Sequence, residues 1–281
     1  MVERASKKAV RISPDDVNRL FPVTELDFYG KGIIKVKRES MVTSDGNAGG
    51  GPRGKIEYLS SRSRSYLAFV VAATEVTFGS LLTLTYGNPY PTDGAICKSH
   101  LNAFLTWMRA QHVGLSYVWV TEFQKRGALH FHILLSLGGI EAWHRKDAAS
   151  RWASITAPAN WATNTSEELD TAYRKKSYNV HKHKDQWQDL ETADGAMRYM
   201  TKYCLKTEQK LVPEFFQNVG RFFGMSRDVV GSARKATTIE IDTEGLQLLL
   251  EVEGHQTSGW GVVPRYLFGI TLEPDPNLSD D

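Results

Sequence analysis

Cysteine is nearly missing from this chain. Cys97 and Cys204 are the only two, far apart and in no zinc-like spacing, so neither a disulfide framework nor a Cys-based metal centre is expected. A reducing, cytoplasmic setting is the corresponding expectation. Long apolar runs are missing as well. No stretch approaches the ~18 residues that would suggest a membrane span, and Met1 to Lys8 lacks the apolar core of a signal peptide, so no membrane partner is expected. Neither sign of charge prevails: the net charge is +2, and bulk charge therefore does not mark a particular class of partner. An ATPase motor is also unsupported. Gly49 to Lys55 fits the G-x-x-x-x-G-K spacing of a phosphate-binding loop. However, Ile56 stands where the magnesium-binding Ser or Thr belongs, and no helical pattern clearly follows.

What is present is unevenly spread. Arg62 and Arg64, Arg174-Lys175-Lys176, His181-Lys182-His183-Lys184, and Lys202 with Lys206 form positive clusters, which the acidic tail from Glu273 to Asp281 offsets. Clustered cations are the footprint of phosphate binding, although solvated charge runs look the same. The pair His181 and His183 reads as surface, because the residue between them is Lys and their neighbours are charged.

A hydrophobic content of 41% over 281 residues allows one large domain with additions or two small domains. Hydrophobic periodicity predicts helices over about 60–73, 96–111, 141–152 and 193–205. Strands are predicted over 81–86, 117–123 and 129–135, the last two joined at hairpin distance by Lys125-Arg126-Gly127. Residues 155–190 are polar and loosely patterned, and read as a candidate insertion. Ile239 to Asp242, Leu246 to Val252 and Tyr266 to Leu272 suggest further strands. The expected organisation is an irregular segment at 1–59, a main domain at 60–225 and a strand-rich segment with an acidic tail at 226–281. The order of elements predicts an α+β sandwich, one antiparallel sheet with helices packed mainly on one face.

Two constellations carry chemistry. In Leu129-His130-Phe131-His132-Ile133, alternation along a strand sends both imidazoles to one face and the apolar residues to the other. Imidazole ligates divalent metals well, and two histidines leave the coordination shell open. In a hairpin turning near Arg126, Glu122 lies almost opposite His130, and Gln124 shares its face. Two histidines and one carboxylate would leave positions for water and a phosphate oxygen, as a catalytic metal site requires. The rival reading is two polar residues on a solvated strand face.

The second constellation is Tyr199-Met-Thr-Lys202-Tyr203-Cys-Leu-Lys206, in which Y-x-x-K occurs twice in register. Tyrosines four apart are neighbours on one helical face. A phenol with a pKa of ~10 is a poor nucleophile at neutral pH, and nearby ammonium groups favour the phenolate and hold a phosphate. The rival reading is an amphipathic core helix with buried rings and exposed hydroxyls. A paired-His metal site followed by such tyrosines is what DNA nicking through a phosphotyrosine needs.

With those residues in hand, the chain resembles the HUH (His-hydrophobic-His) endonucleases, and most of all the two-tyrosine rolling-circle replication initiators of single-stranded DNA phages and plasmids. Leu82-Thr-Leu-Thr-Tyr86 is similar to the family's first strand motif, Glu122 to His132 to its metal motif, and Tyr199 to Lys206 to its catalytic helix. The resemblance implies a central five-stranded antiparallel sheet with flanking helices. It implies Mg²⁺ or Mn²⁺ held by His130, His132 and Glu122, with Tyr199 and Tyr203 alternating as nucleophiles beside Lys202 and Lys206. The implied partners are single-stranded or hairpin origin DNA and a host helicase and polymerase, in the cytoplasm of a bacterial host. Lys125, Arg126 and the 174–184 stretch are expected DNA contacts, and Trp119 and the tryptophans between 143 and 187 are candidates for stacking on bases. The rivals are a relaxase or single-strand transposase with the same chemistry, a water-using phosphodiesterase, and a non-catalytic module that binds single-stranded nucleic acid.

Overall fold

The computed structural model describes residues 24–29, 33–38, 56–138, 142–190, 211–233, 235–241 and 266–267. The chain divides into two compact units, residues 1–51 with 234–281 and residues 52–233. In the first unit, β1 (Thr24–Tyr29) and β2 (Ile33–Arg38) form an antiparallel pair flanked by β8 (Lys235–Ile241) and β9 (Tyr266–Leu267), in the order β8-β1-β2-β9. Segments from the two ends of the chain thus make one sheet. The strand expected at Leu246 to Val252 lies outside the described residues.

The second unit contains a five-stranded antiparallel sheet. It is built from β3 (Ser80–Thr85), β4 (Tyr117–Phe123), β5 (Leu129–Leu135), β6 (Trp187–Asp189) and β7 (Phe223–Met225), in the order β6-β3-β5-β4-β7. The expected α+β class with a five-stranded antiparallel sheet is the one observed. Its helices are α1 (Ser61–Ala73), α2 (Gly94–Gln111), α3 (Ala142–Ile155), α4 (Glu167–His181) and the short α5 (Arg227–Ser232). Local chemistry sets their starts. Ser60, Asp93 and Ser166 are N-caps that accept from the backbone N–H of Ser63, Ala95 and Leu169. Glu167, Glu168 and Asp170 add negative charge to the first turn of α4.

The core lies on the sheet face that carries Leu82, Leu84, Phe131 and Ile133, against Cys97, Leu101, Phe104, Leu105 and Met108 of α2 and Trp152 of α3. Trp152 is fully buried, its ring 5.7 Å from Phe104 and 6.2 Å from Phe131, both edge-on. Removing an aromatic ring of this size from water is worth about 4–6 kcal/mol. The other face is covered in part by α1, whose Tyr66 ring is 6.3 Å from Phe223 of β7.

The 155–190 stretch is more regular than its composition suggests. It supplies α4 and β6, and Leu81 and Leu82 of β3 pair with Gln188 and Trp187. Helix α4 buries only Tyr173, Ser177 and His181, a narrow and mostly polar stripe, so no apolar period announces it.

One glycine is required by close approach. A Cβ on Gly94 would lie 2.3 Å from the Asn218 carbonyl oxygen and 2.6 Å from the Val219 Cα. The 217–219 backbone crosses the start of α2 here, exchanging Gly94 N–H→Gln217 O and Gln217 N–H→Thr92 O bonds of 2.8 Å. Gly94→Ala forces that backbone apart. Urea unfolding is expected to show a loss of about 1–3 kcal/mol, against a negligible change for Gly231→Ala, where an added Cβ meets nothing.

Candidate active site

The β4–β5 hairpin turns through Gln124 to Ala128. Gly127 sits at φ +85°, its N–H bonding the Gln124 carbonyl at 2.7 Å, and the Gln124 N–H bonds the Ala128 carbonyl at 2.9 Å. Left-handed backbone at this point favours glycine. The turn sets the register: Glu122 lies directly opposite His130, and Val120 opposite His132. Cross-strand partners share a face, so Glu122, His130 and His132 project together, away from the face that carries Phe131.

Their side chains are in contact. The rings of His130 and His132 stack with centroids 4.7 Å apart and 25° between planes. His132 Nε2 lies 3.2 Å from Glu122 Oε2, and both residues are buried, at 5% exposure each. Thr83 of β3, opposite His132, meets its Nδ1 at 3.2 Å through Oγ1. Gln124 Nε2 meets His130 Nδ1 at 3.0 Å. Among the described residues, no group of three or more His, Cys, Asp or Glu side chains is already closed into a metal cage. The donor chemistry nevertheless fits a hard-to-borderline divalent ion. Two cis ligands on an octahedral cation with ~2.1 Å bonds stand about 3 Å apart, close to the 3.2 Å between His132 Nε2 and Glu122 Oε2. Each imidazole is also held at Nδ1 by a neutral partner, as metal-binding histidines usually are.

The end of β3 beside His130 is clamped from several elements. Thr85 is opposite His130. The Thr85 N–H donates to His181 Nε2 at 3.0 Å, and Trp152 Nε1–H donates to the Thr85 carbonyl at 2.9 Å. Two residues on, Gly87 N–H donates to the Tyr173 hydroxyl at 3.3 Å. His181 is therefore a buried structural residue, and the surface reading fails for it. Its Nδ1–H donates to the Ser177 carbonyl at 2.7 Å, its neutral ring bridges α4 and β3, and burial pushes its pKa down to about 4. His183 is exposed and pairs with Asp185 at 3.1 Å.

Three residues expected to meet DNA also have structural engagements. Arg126 donates through Nε to Gln124 Oε1 at 2.9 Å and through its other nitrogens to the Tyr86 and Gly87 carbonyls and Asn88 Oδ1. Its guanidinium lies 4.9 Å from the Tyr90 ring. Arg174 forms a 2.6 Å ion pair with Asp170. Trp119 lies on the face opposite the histidines, edge-on to Phe131 at 6.5 Å, with the Lys98 ammonium 4.6 Å from its ring. Burial lowers that ammonium to about 7. Lys125, Lys175 and Lys176 remain exposed. Thr83, Arg126 and His181 are support residues that strand motifs did not single out. Only the alternation of Thr83 and Thr85 along β3 marks the face they serve. Tyr199, Lys202, Tyr203 and Lys206 lie outside the described residues.

Residues 79–208 match the family model for replication-associated proteins of the ORF2 and gene-2-protein type. The match covers just under half of the chain and supports a Rep-type, replication-associated protein. It takes in the hairpin and the Tyr199 to Lys206 segment. No curated protein and no solved structure matches the chain. Among the described residues, no helix is long and apolar enough to cross a membrane.

Proposed function

We propose that the protein initiates rolling-circle replication by nicking single-stranded or hairpin origin DNA through a 5′-phosphotyrosine intermediate and later rejoining the strands. The observation that carries this reading is the donor set of His130, His132 and Glu122, held in register on one sheet face. It falls inside the segment that matches a replication-associated family and that also contains both Y-x-x-K units.

In this reading His130, His132 and Glu122 hold Mg²⁺ or Mn²⁺. Such an ion, when bound, draws charge from a non-bridging phosphate oxygen. The phenolate of Tyr199 or Tyr203 attacks phosphorus, the bond to the 3′ oxygen breaks, and that oxygen leaves as a 3′ hydroxyl from which a host polymerase extends. Lys202 and Lys206 favour the phenolate and hold the phosphate. The phosphotyrosine conserves the bond, so the second tyrosine, or the released hydroxyl, closes the strand without ATP. Strand separation falls to a host helicase.

Covalent trapping tests this. Circular single-stranded DNA from the source replicon, Mn²⁺ and protein are mixed and resolved on a denaturing gel, with wild type, Tyr199→Phe, Tyr203→Phe and the double variant. The expected result is an adduct that needs the ion, survives each single change and disappears in the double variant. Cleavage without an adduct would replace the reading with a water-using nuclease, and binding without cleavage with a recognition module.

A further inference from the structure

We infer that Gln124 is a positioning residue that sets which nitrogen of His130 carries the proton, and that Arg126 holds it in the orientation that disfavours a cation. The inference rests on the cation site proposed above and adds a control on its loading. An arginine Nε is a donor only. Its 2.9 Å contact with Gln124 therefore has to fall on the amide oxygen, Oε1. The amide nitrogen is then the atom that faces His130 Nδ1 at 3.0 Å. That nitrogen donates, so Nδ1 of the neutral ring accepts, and the ring's proton sits on Nε2.

A cation takes an unprotonated ring nitrogen. With Nδ1 engaged by Gln124, ligation falls to Nε2, which offers a lone pair only when the proton has moved to Nδ1. Gln124 would then have to rotate its amide and present Oε1 to Nδ1–H. That rotation sets the Gln124 amide nitrogen against Arg126 Nε–H, donor against donor. The guanidinium is itself held by the Tyr86 and Gly87 carbonyls and Asn88 Oδ1. It does not simply follow the amide. His132 shows the contrast. Its Nδ1 faces the Thr83 hydroxyl, which donates or accepts with equal ease, so its Nε2 changes protonation without any rearrangement.

Arg126 and Gln124 therefore form a latch. Loading of His130 requires Arg126 to release Gln124, and an anion drawn to this exposed guanidinium, a DNA phosphate in the proposed reaction, is the chemistry that would release it. Gln124→Glu removes the conflict: one carboxylate oxygen stays with Arg126 and the other accepts from His130 Nδ1–H, the tautomer in which Nε2 ligates. Arg126→Met removes the restraint on the amide without adding negative charge.

The test uses full-length protein with ¹⁵N-labelled histidine. Long-range ¹H–¹⁵N spectra without metal report the His130 tautomer, assigned by its loss in His130→Gln, and Mn²⁺ titration followed by electron paramagnetic resonance reports affinity. The expected wild-type ring is protonated at Nε2. Gln124→Glu is expected to move the proton to Nδ1 and tighten Mn²⁺ about tenfold, and Arg126→Met to tighten it as well. A wild-type ring already protonated at Nδ1, or affinities unchanged in both variants, would overturn the latch. Failure of the underlying site looks different: Mn²⁺ binding that is absent, or indifferent to His132→Ala and Glu122→Ala, removes the cation reading whatever the tautomer.

Discussion

Glu122→Gln is expected to lower metal-dependent nicking about a thousandfold and to leave the fold intact. A factor of that size is about 4 kcal/mol of barrier, the scale expected when a Lewis acid loses an anionic ligand. The substitution separates chemistry from packing. Glutamine has nearly the same shape and keeps an oxygen that accepts from His132 Nε2–H, so the buried contact at 3.2 Å survives without its charge. The structural loss is that of one charge-assisted bond, about 1–2 kcal/mol, readable as a modest shift in the urea midpoint. Nicking rates at saturating Mn²⁺, with circular dichroism as the control for folding, make the comparison. Glu122→Gln activity within tenfold of wild type would remove Glu122 from the ligand set. A collapsed fold would assign the carboxylate a structural role.

The site's first layer is legible in the sequence because it depends on two short-range rules. Alternation puts His130 and His132 on one face, and hairpin arithmetic from Lys125-Arg126-Gly127 puts Glu122 across from His130, where the register places it. The strands at 117–123 and 129–135 are predicted at their observed limits because β-branched and aromatic residues coincide there with a glycine turn. The layer behind it is not legible. His181 reaches Thr85 across 96 residues and Tyr173 reaches Gly87 across 86, and sequence spacing carries no trace of such contacts. The helix that brings them is hidden because its buried stripe is Tyr, Ser and His, not Leu and Val. Arg126 shows a different failure. Its charge suggests a phosphate contact, whereas three backbone and side-chain oxygens of the 86–88 loop and the Gln124 amide occupy its donors.

That hidden layer leads to the second large effect, a loss of stability on mild acidification. His181 has its pKa lowered from 6.5 to about 4, chiefly because burial disfavours the charged ring, and in part offset by its bond to the Ser177 carbonyl. The geometry gives the same answer: Nε2 accepts the Thr85 N–H, and a protonated ring has no lone pair to offer there. His100, buried beside Tyr86 with Nδ1 3.1 Å from its hydroxyl, is lowered to about 4 by the same burial. A histidine whose folded pKa is depressed stabilises the fold fully above its unfolded value near 6.5. Between about 6.5 and 4 the unfolded chain binds protons that the folded chain does not, so stability falls as pH falls through that window and levels off below it. For His181 the change amounts to about 3 kcal/mol, with His100 acting in the same direction. Against a typical total of about 5–15 kcal/mol, that is a large share. Urea unfolding at pH 7.0, 6.0, 5.0 and 4.5 is expected to show a steadily falling midpoint. His181→Gln should be less stable than wild type at pH 7, because a less well-shaped acceptor meets the Thr85 N–H, and clearly flatter with pH. A variant that keeps the wild-type slope would assign the acid sensitivity to other groups and leave His181 a neutral packing residue.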